Sequence, residues 1–402
     1  MTSTVIFRSE NLLVRFVGGF ARSHLVITFD CHNSTRSLER SGFGEVFLSE
    51  RSIDAIHVMS KDNDWYQYPE MDQALDAIAA HTRPYSRVVS YGASMGAYAA
   101  IRFASRVEAQ AAIAISPQYS IDPAVCPFED RWGESKSISF RYDAGAKIDQ
   151  ISNAVVFYDP YDVNDNRQVS RIKEDIHITE VRLPHAGHSA GIYLSELSLL
   201  TESVLSIIYD TFSARETTVS ARMRRRETSK YHATLAKRAS RKGHLNWALS
   251  LAKTASEKNP SHARYISTAA RIIAKTGDIG DAAFWQRQAV ALEPDQLEHS
   301  IDLTALLLRT DAYLEALDIC NRIIERDPGR GMAYYLRAKA LMIKGDYKDA
   351  LLSAHAAKNL EPDHLWFREC VTECELAFSN SALSYYRPTP RYIPQFSNDQ
   401  FL

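Results

Sequence analysis

The chain has 402 residues, 45% of them hydrophobic and 24% charged, with a formal net charge of −2, which describes a globular protein long enough for two separate cores. Its balanced charge argues against strong affinity for nucleic acid or an acidic membrane surface, and no run of about 18 apolar residues is present to span a bilayer. Arg8, Glu10 and Arg15 interrupt the first apolar stretch, so no signal peptide is expected, and five cysteines without a CxxC pair (Cys31, Cys126, Cys320, Cys370, Cys374) predict reduced thiols in a cytoplasmic chain that needs neither a metal nor a cofactor.

Short β-rich runs open the chain: "VIFRS", "LLVRFVG", "HLVITFD", "IDAIHVMS", "RVVSYG", "AAIAISP", "AVVFYDP" and "IHITEVRLP". Amphipathic helical stretches such as "PEMDQALDAIAAH" lie between several of them. That alternation predicts a mostly parallel sheet covered by helices on both faces. The first two runs, closely connected, predict an antiparallel edge. This domain is placed at residues 1–212. Residues 213–228, with Arg222, Arg224, Arg225 and Arg226, read as an Arg-rich linker or charged interdomain helix.

A different periodicity follows. Pro260, Pro294, Pro328 and Pro362 stand 34 residues apart, as do Ala248, Ala282, Ala316 and Ala350, and Gly243, Gly277, Asp311 and Gly345 keep the same step. Alanine lets two helices approach closely, glycine takes the turn between them, and proline begins the next unit because it cannot continue a helix. A 34-residue helix-pair unit is the tetratricopeptide (TPR) pattern. An all-α repeat domain is therefore expected over 229–380, four units and a capping helix at "HLWFRECVTECELAF", followed by an irregular, proline-bearing tail at 381–402.

The chemistry is expected at Ser94. Gly92-Ala93-Ser94-Met95-Gly96 fits G-x-S-x-G between a strand and a helix, where the residues two before and two after the serine must be small. A serine nucleophile needs a base and an orienting acid. Asp162 follows the strand "NAVVFYDP", with Asp165 as the second candidate, and His188 follows "IHITEVRLP", with His185 as its competitor. Asp159 is expected to cap or make a turn, His57 to pack inside, and Asp54 to lie at the surface or in a loop.

The elbow, "FYDPYD" and "LPHAGH" resemble, in order, the nucleophile, acid and histidine segments of the α/β-hydrolase superfamily over roughly residues 5–212. The resemblance implies an α/β fold with a catalytic triad of Ser94, Asp162 and His188. It also implies an oxyanion hole from the backbone N–H of Met95 and of Cys31 or His32. Loops at the C-terminal strand ends suggest substrate contacts from Trp65, Tyr66 and Gln118, with Tyr119 and Trp132 nearby. "SMGAYAAI", "ISPQYSID" and the fused repeats are similar to bacterial hydrolase-like proteins associated with surface-polysaccharide assembly, which implies an esterase or acyl-transferring enzyme acting on an acylated glycan. The repeats would dock a protein partner or self-associate. The competing reading is an idle hydrolase scaffold whose repeats bind proteins.

Overall fold

The computed structural model describes residues 2–20, 23–32, 37–143, 145, 147–310 and 312–383. The chain divides into two compact units, Met1–Tyr231 and His232–Leu402.

Among the described residues eight strands organise the first unit: β1 (Thr2–Arg8), β2 (Leu12–Gly18), β3 (His24–Phe29), β4 (Asp54–Ser60), β5 (Arg87–Ala93), β6 (Ala111–Ile115), β7 (Asn153–Tyr158) and β8 (Ile178–Arg182). They form one sheet in the order β1-β2-β4-β3-β5-β6-β7-β8. β2 runs antiparallel to both its neighbours, and every pairing from β4 to β8 is parallel.

Among the described residues seven α-helices accompany the sheet: α1 (Glu45–Ser49), α2 (Met71–Thr82), α3 (Met95–Arg102), α4 (Val163–Asp175), α5 (Ala190–Glu196), α6 (Leu199–Ile208) and α7 (Ala214–Arg224). Successive strand side chains point to opposite faces, so the central strands are apolar on both. Leu25, Ile27 and Phe29 pack with Leu75 and Ile78 of α2 and Tyr98 of α3, whereas Val26, Val89, Ile113 and Phe157 pack with Leu48 of α1, Leu194 of α5 and Ile207 of α6.

The segment read as a linker folds with this unit. Ser213 caps α7 by accepting the Glu216 N–H at 3.3 Å, and the Tyr193 hydroxyl donates to the buried Ala221 carbonyl at 3.0 Å. Asp54, expected near the surface, is 1% exposed. It opens β4 from inside the fold, where its carboxylate accepts from the Phe20 N–H at 3.0 Å and the Tyr85 hydroxyl at 2.9 Å.

The second unit is a stack of helix pairs. After α8 (Ser229–Arg241), which begins before the division, come α9 (Leu245–Lys258), α10 (Ala263–Thr276), α11 (Ile279–Leu292), α12 (Leu297–Leu307), α13 (Tyr313–Arg326), α14 (Gly331–Lys344), α15 (Tyr347–Leu360) and α16 (Leu365–Leu383). Second helices start at 245, 279, 313 and 347 and first helices at 229, 263, 297 and 331, with α16 at 365 continuing the first-helix series, so the 34-residue step of the sequence is the step of the structure. Ala248, Ala282, Ala316 and Ala350 are all 0% exposed at the helix contacts. Gly243, Gly277 and Gly345 have φ of 81°, 98° and 92° at the turns, where only glycine is unstrained. Asp311 and the tail at 384–402 lie outside the described residues.

Among the described residues no single helix is long and apolar enough to cross a membrane. The apolar pair α5 and α6 is bent by 107° and buries Tyr193, Leu194, Val204 and Ile207 in the core.

Candidate active site

Ser94 stands between β5 and α3 with φ 51° and ψ −118°, a conformation that strains any residue with a side chain. Local packing requires it. A Cβ on Gly92 would lie 2.2 Å from the Gly96 carbonyl group, and one on Gly96 would lie 2.2 Å from the Phe29 carbonyl oxygen. The Ser94 N–H donates to the Ile115 carbonyl at 2.9 Å, and its own carbonyl accepts from Ala97 and Tyr98 as α3 begins. The hydroxyl is thus held at the C-terminal edge of the sheet.

His188 comes from the loop after β8. Its Nε2 lies 2.9 Å from Ser94 Oγ, and its Nδ1 lies 2.8 Å from Asp165 Oδ1 and 3.1 Å from Oδ2. Only a ring carrying its proton on Nδ1 satisfies the carboxylate and leaves Nε2 to accept the serine hydroxyl, so the partners dictate the tautomer. Asp159 fixes the loop from beneath by accepting from the N–H groups of Tyr161, His185 and Gly187 at 2.9, 3.1 and 2.8 Å. The expected turn role of Asp159 is met. His185 is turned away with φ 68°, its ring against Tyr161 and Tyr231.

Asp165, not Asp162, meets the histidine. The chain enters α4 at Val163, so Asp162 becomes the N-cap and its carboxylate accepts the Asp165 N–H at 3.1 Å. Asp165, in the first turn, points its fully buried side chain at His188. Burial alone raises the Asp165 carboxyl, but the His188 hydrogen bond and charge, then Arg131, outweigh it and hold the group below the ordinary carboxylate range. Burial and the neighbouring Asp165 charge push Asp162 upward instead.

Arg131, which the sequence reading passed over, joins this cluster. Its Nη1 donates to Asp165 Oδ1 at 2.7 Å, while Nε and Nη2 donate to the two oxygens of buried Glu129 at 2.7 and 2.6 Å. Glu129 also accepts from Gln168 Nε2 at 3.0 Å, and Gln168 Oε1 accepts the Tyr119 N–H at 2.8 Å. The available signals were the acid–x–Arg spacing in "FEDRW" and the i, i+3 spacing of Asp165 and Gln168, which puts both on one helix face.

Met95 begins α3, and the first N–H groups of a helix have no acceptor within it. The chain after β3 passes directly over Gly96, which brings the Phe29–Asp30 backbone beside the same helix start, with Cys31 the next residue in sequence. Burial, then the neighbouring Asp30 charge, push the Cys31 thiol up, which favours its protonated form over a nucleophilic thiolate. His32 is exposed, with Nε2 2.9 Å from Glu134 Oε1.

The expected substrate contacts fare differently. Trp65 and Gln118 are each 1% exposed and Tyr66 is 0%, so all three are packed inside rather than lining an open cleft. The Tyr66 hydroxyl is aimed at the carbonyls of Asp30 (3.0 Å) and Val58 (3.3 Å), bracing the chain that leads to Cys31. Trp65 Nε1 and both amide atoms of Gln118 have no hydrogen-bond partner among the described residues. The aromatic residue that reaches the site is Trp132, half-buried, edge-on to His188 at 5.7 Å and to Trp65 at 5.3 Å. His57 packs inside as expected: its Nδ1 meets Thr28 Oγ1 at 2.6 Å, and burial pushes the ring down to about 4.

No protein-family model matches the chain, and no curated protein matches it. Similar solved structures include MamA from residue 41 onward of Desulfovibrio magneticus RS-1, 18% identical over 40% of this chain and 97% of that one, with a TM-score of 0.33. YrrB, described as a TPR protein with an unusual peptide-binding site, is 19% identical over 44% of this chain and 89% of its own, with a TM-score of 0.34. A tetratricopeptide repeat protein from Parabacteroides merdae ATCC 43184 is 15% identical over 48% and 77%, with a TM-score of 0.37. Likenesses of this size carry no argument about the site.

Proposed function

We propose that the first unit is a serine hydrolase of the α/β-hydrolase type, cleaving or transferring the acyl group of a carboxylic ester, and that the helical repeats dock a protein partner or a second copy. The observation that carries this reading is the unbroken line from Ser94 Oγ to His188 Nε2 (2.9 Å) and from His188 Nδ1 to Asp165 (2.8 Å). Support also comes from the order of the parts. The serine follows the fifth strand, the acid the seventh and the histidine the eighth, in a sheet whose second strand alone runs against its neighbours. This is the Ser, Asp, His order of the superfamily.

In this mechanism Ser94 Oγ attacks the ester carbonyl as His188 Nε2 takes its proton, and Asp165 steadies the resulting imidazolium. The Met95 N–H, with a second donor from the Cys31 backbone, receives the negative charge that develops on the carbonyl oxygen. His188 then gives its proton to the departing alkoxide. Water repeats the sequence to release the acid, or an acceptor hydroxyl takes the acyl group. Among the described residues between Ile115 and Asn153 there is only one short 3₁₀ turn, Gly133–Lys136. With no lid domain inserted there, a bulky substrate such as an acylated glycan is favoured over a long-chain lipid.

A second reading is an idle hydrolase scaffold whose repeats bind peptides or helices. It is favoured by the regular 34-residue stack. Two of the solved structures named above are described as TPR proteins, and YrrB is described as having an unusual peptide-binding site. Comparison with known proteins sits with this second reading, whereas the side-chain geometry sits with the first. Turnover of p-nitrophenyl acetate by wild type, Ser94→Ala and His188→Ala, each shown folded by circular dichroism, separates them. The hydrolase reading expects a loss of about a thousandfold or more in both variants. Equal slow rates in all three contradict it.

A further inference from the structure

We propose that Arg131 is a positioning residue of the Ser94–His188–Asp165 site, a cation built against the triad carboxylate that sets how far into the acid range His188 remains a free base. The proposal rests on the hydrolase reading of that site. Its basis is geometric. Arg131 Nη1 donates to Asp165 Oδ1 at 2.7 Å, the same oxygen that lies 2.8 Å from His188 Nδ1. The same Nη1 is 3.3 Å from that Nδ1 and 3.7 Å from Asp162 Oδ1.

The guanidinium is not a passing surface contact. Its other face is held by two parallel bonds to Glu129, whose side chain is 0% exposed and which is anchored in turn by Gln168, one helical turn beyond Asp165. A planar fork gripped on both sides has little freedom to leave.

A serine triad ordinarily uses its acid to stabilise the imidazolium. Here a fixed positive charge shares that acid and opposes the imidazolium directly. Asp165 therefore stays ionised although buried, and the arginine charge stands 3.3 Å from the ring nitrogen, where it opposes a second positive charge. The charged groups facing the ring are Asp165, Asp162 and Arg131, with Glu129 behind the arginine. The Ser94 hydroxyl occupies the Nε2 side, and the neutral Trp132 ring covers an edge, with His32 and Glu134 beyond it.

The test uses the full chain and two readouts: the pH dependence of the rate at which a fluorophosphonate labels Ser94, and the NMR titration of the His188 ring, its signal identified by its loss in His188→Gln. Arg131→Gln is expected to move the acid limb and the ring's midpoint up by about one pH unit. Glu129→Gln, which leaves the arginine charge unbalanced, is expected to move both down. Arg131→Lys should restore part of the wild-type position. Because Arg131→Gln leaves a buried carboxylate alone, the paired change Glu129→Gln with Arg131→Gln guards against a folding failure and should still shift the limb upward, by less. Midpoints unchanged, or moving the same way in Arg131→Gln and Glu129→Gln, overturn the proposal and leave Arg131 a brace for its loop. If the wild type does not label at any pH, the hydrolase reading fails, and the ring titration alone still decides the role of Arg131.

Discussion

Asp162 accepts the backbone N–H of Asp165 at 3.1 Å, and that single bond decides which carboxylate serves His188. The first carboxylate is spent on the helix end, so the second is free to turn inward. Asp165→Asn should therefore cut ester turnover by about 10⁴, the scale seen when a triad acid is replaced by its amide, while Asp162→Asn, still a capping side chain, stays within about tenfold of wild type. Asp162→Ala should cost about 1 kcal/mol of stability through the lost cap. Steady-state kinetics and urea denaturation of the three variants check this.

Gly96→Ala places a methyl group 2.2 Å from the Phe29 carbonyl oxygen and 2.8 Å from that of Asp30, both backbone atoms. Neither can yield without moving the chain that leads to Cys31. The variant should lose at least about 1–3 kcal/mol by overpacking. What remains folded should also turn over ester more slowly, because the Cys31 N–H moves away from the Met95 N–H. Thermal denaturation and kinetics on the same sample read both effects.

His57 supplies a pH dependence. Burial holds its ring near 4, against an ordinary value near 6.5. The folded state binds this proton less readily than the unfolded chain, so the contribution is fully present above about pH 6.5 and is lost as pH falls toward about 4. The effect is on the order of a few kcal/mol at most, on the scale of about 1.36 kcal/mol per pH unit. Stability curves of wild type and His57→Gln between pH 7.5 and 4 should converge toward acid, with the wild type falling more steeply; parallel curves would show that the ring binds its proton as readily in the fold as in the unfolded chain.

Ala316 is 0% exposed where α13 meets its partners in the helix stack. Ala316→Leu should cost the repeat unit about 1–3 kcal/mol. Ester turnover should stay within about tenfold of wild type, since Ser94, His188, Asp165 and Arg131 all belong to the other unit. Urea denaturation followed by circular dichroism, with turnover measured below the transition, tests both halves of that statement.

Periodicity was the feature most readily legible in the sequence. Pro260 to Pro362 and Ala248 to Ala350 mark the helix stack because hairpin packing repeats the same steric demand every 34 residues. The serine turn was legible too, because only glycine fits at 92 and 96. The choice of acid was not, since Asp162 and Asp165 differ only in where a helix begins, and boundaries are weakly encoded. Trp65, Tyr66 and Gln118 looked like cleft residues because they sit in loops at strand ends, yet those loops fold inward over the core. Arg131 escaped notice because its meaning depends on Glu129, Asp165 and Gln168 meeting in space.

The most direct measurement is fluorophosphonate labelling of the folded full chain, read by intact mass and peptide mapping. The account predicts one adduct, on Ser94, absent in Ser94→Ala and formed far more slowly in His188→Ala and Asp165→Asn. A folded wild type that takes no adduct, or a Ser94→Ala variant labelled as readily as wild type, would contradict it.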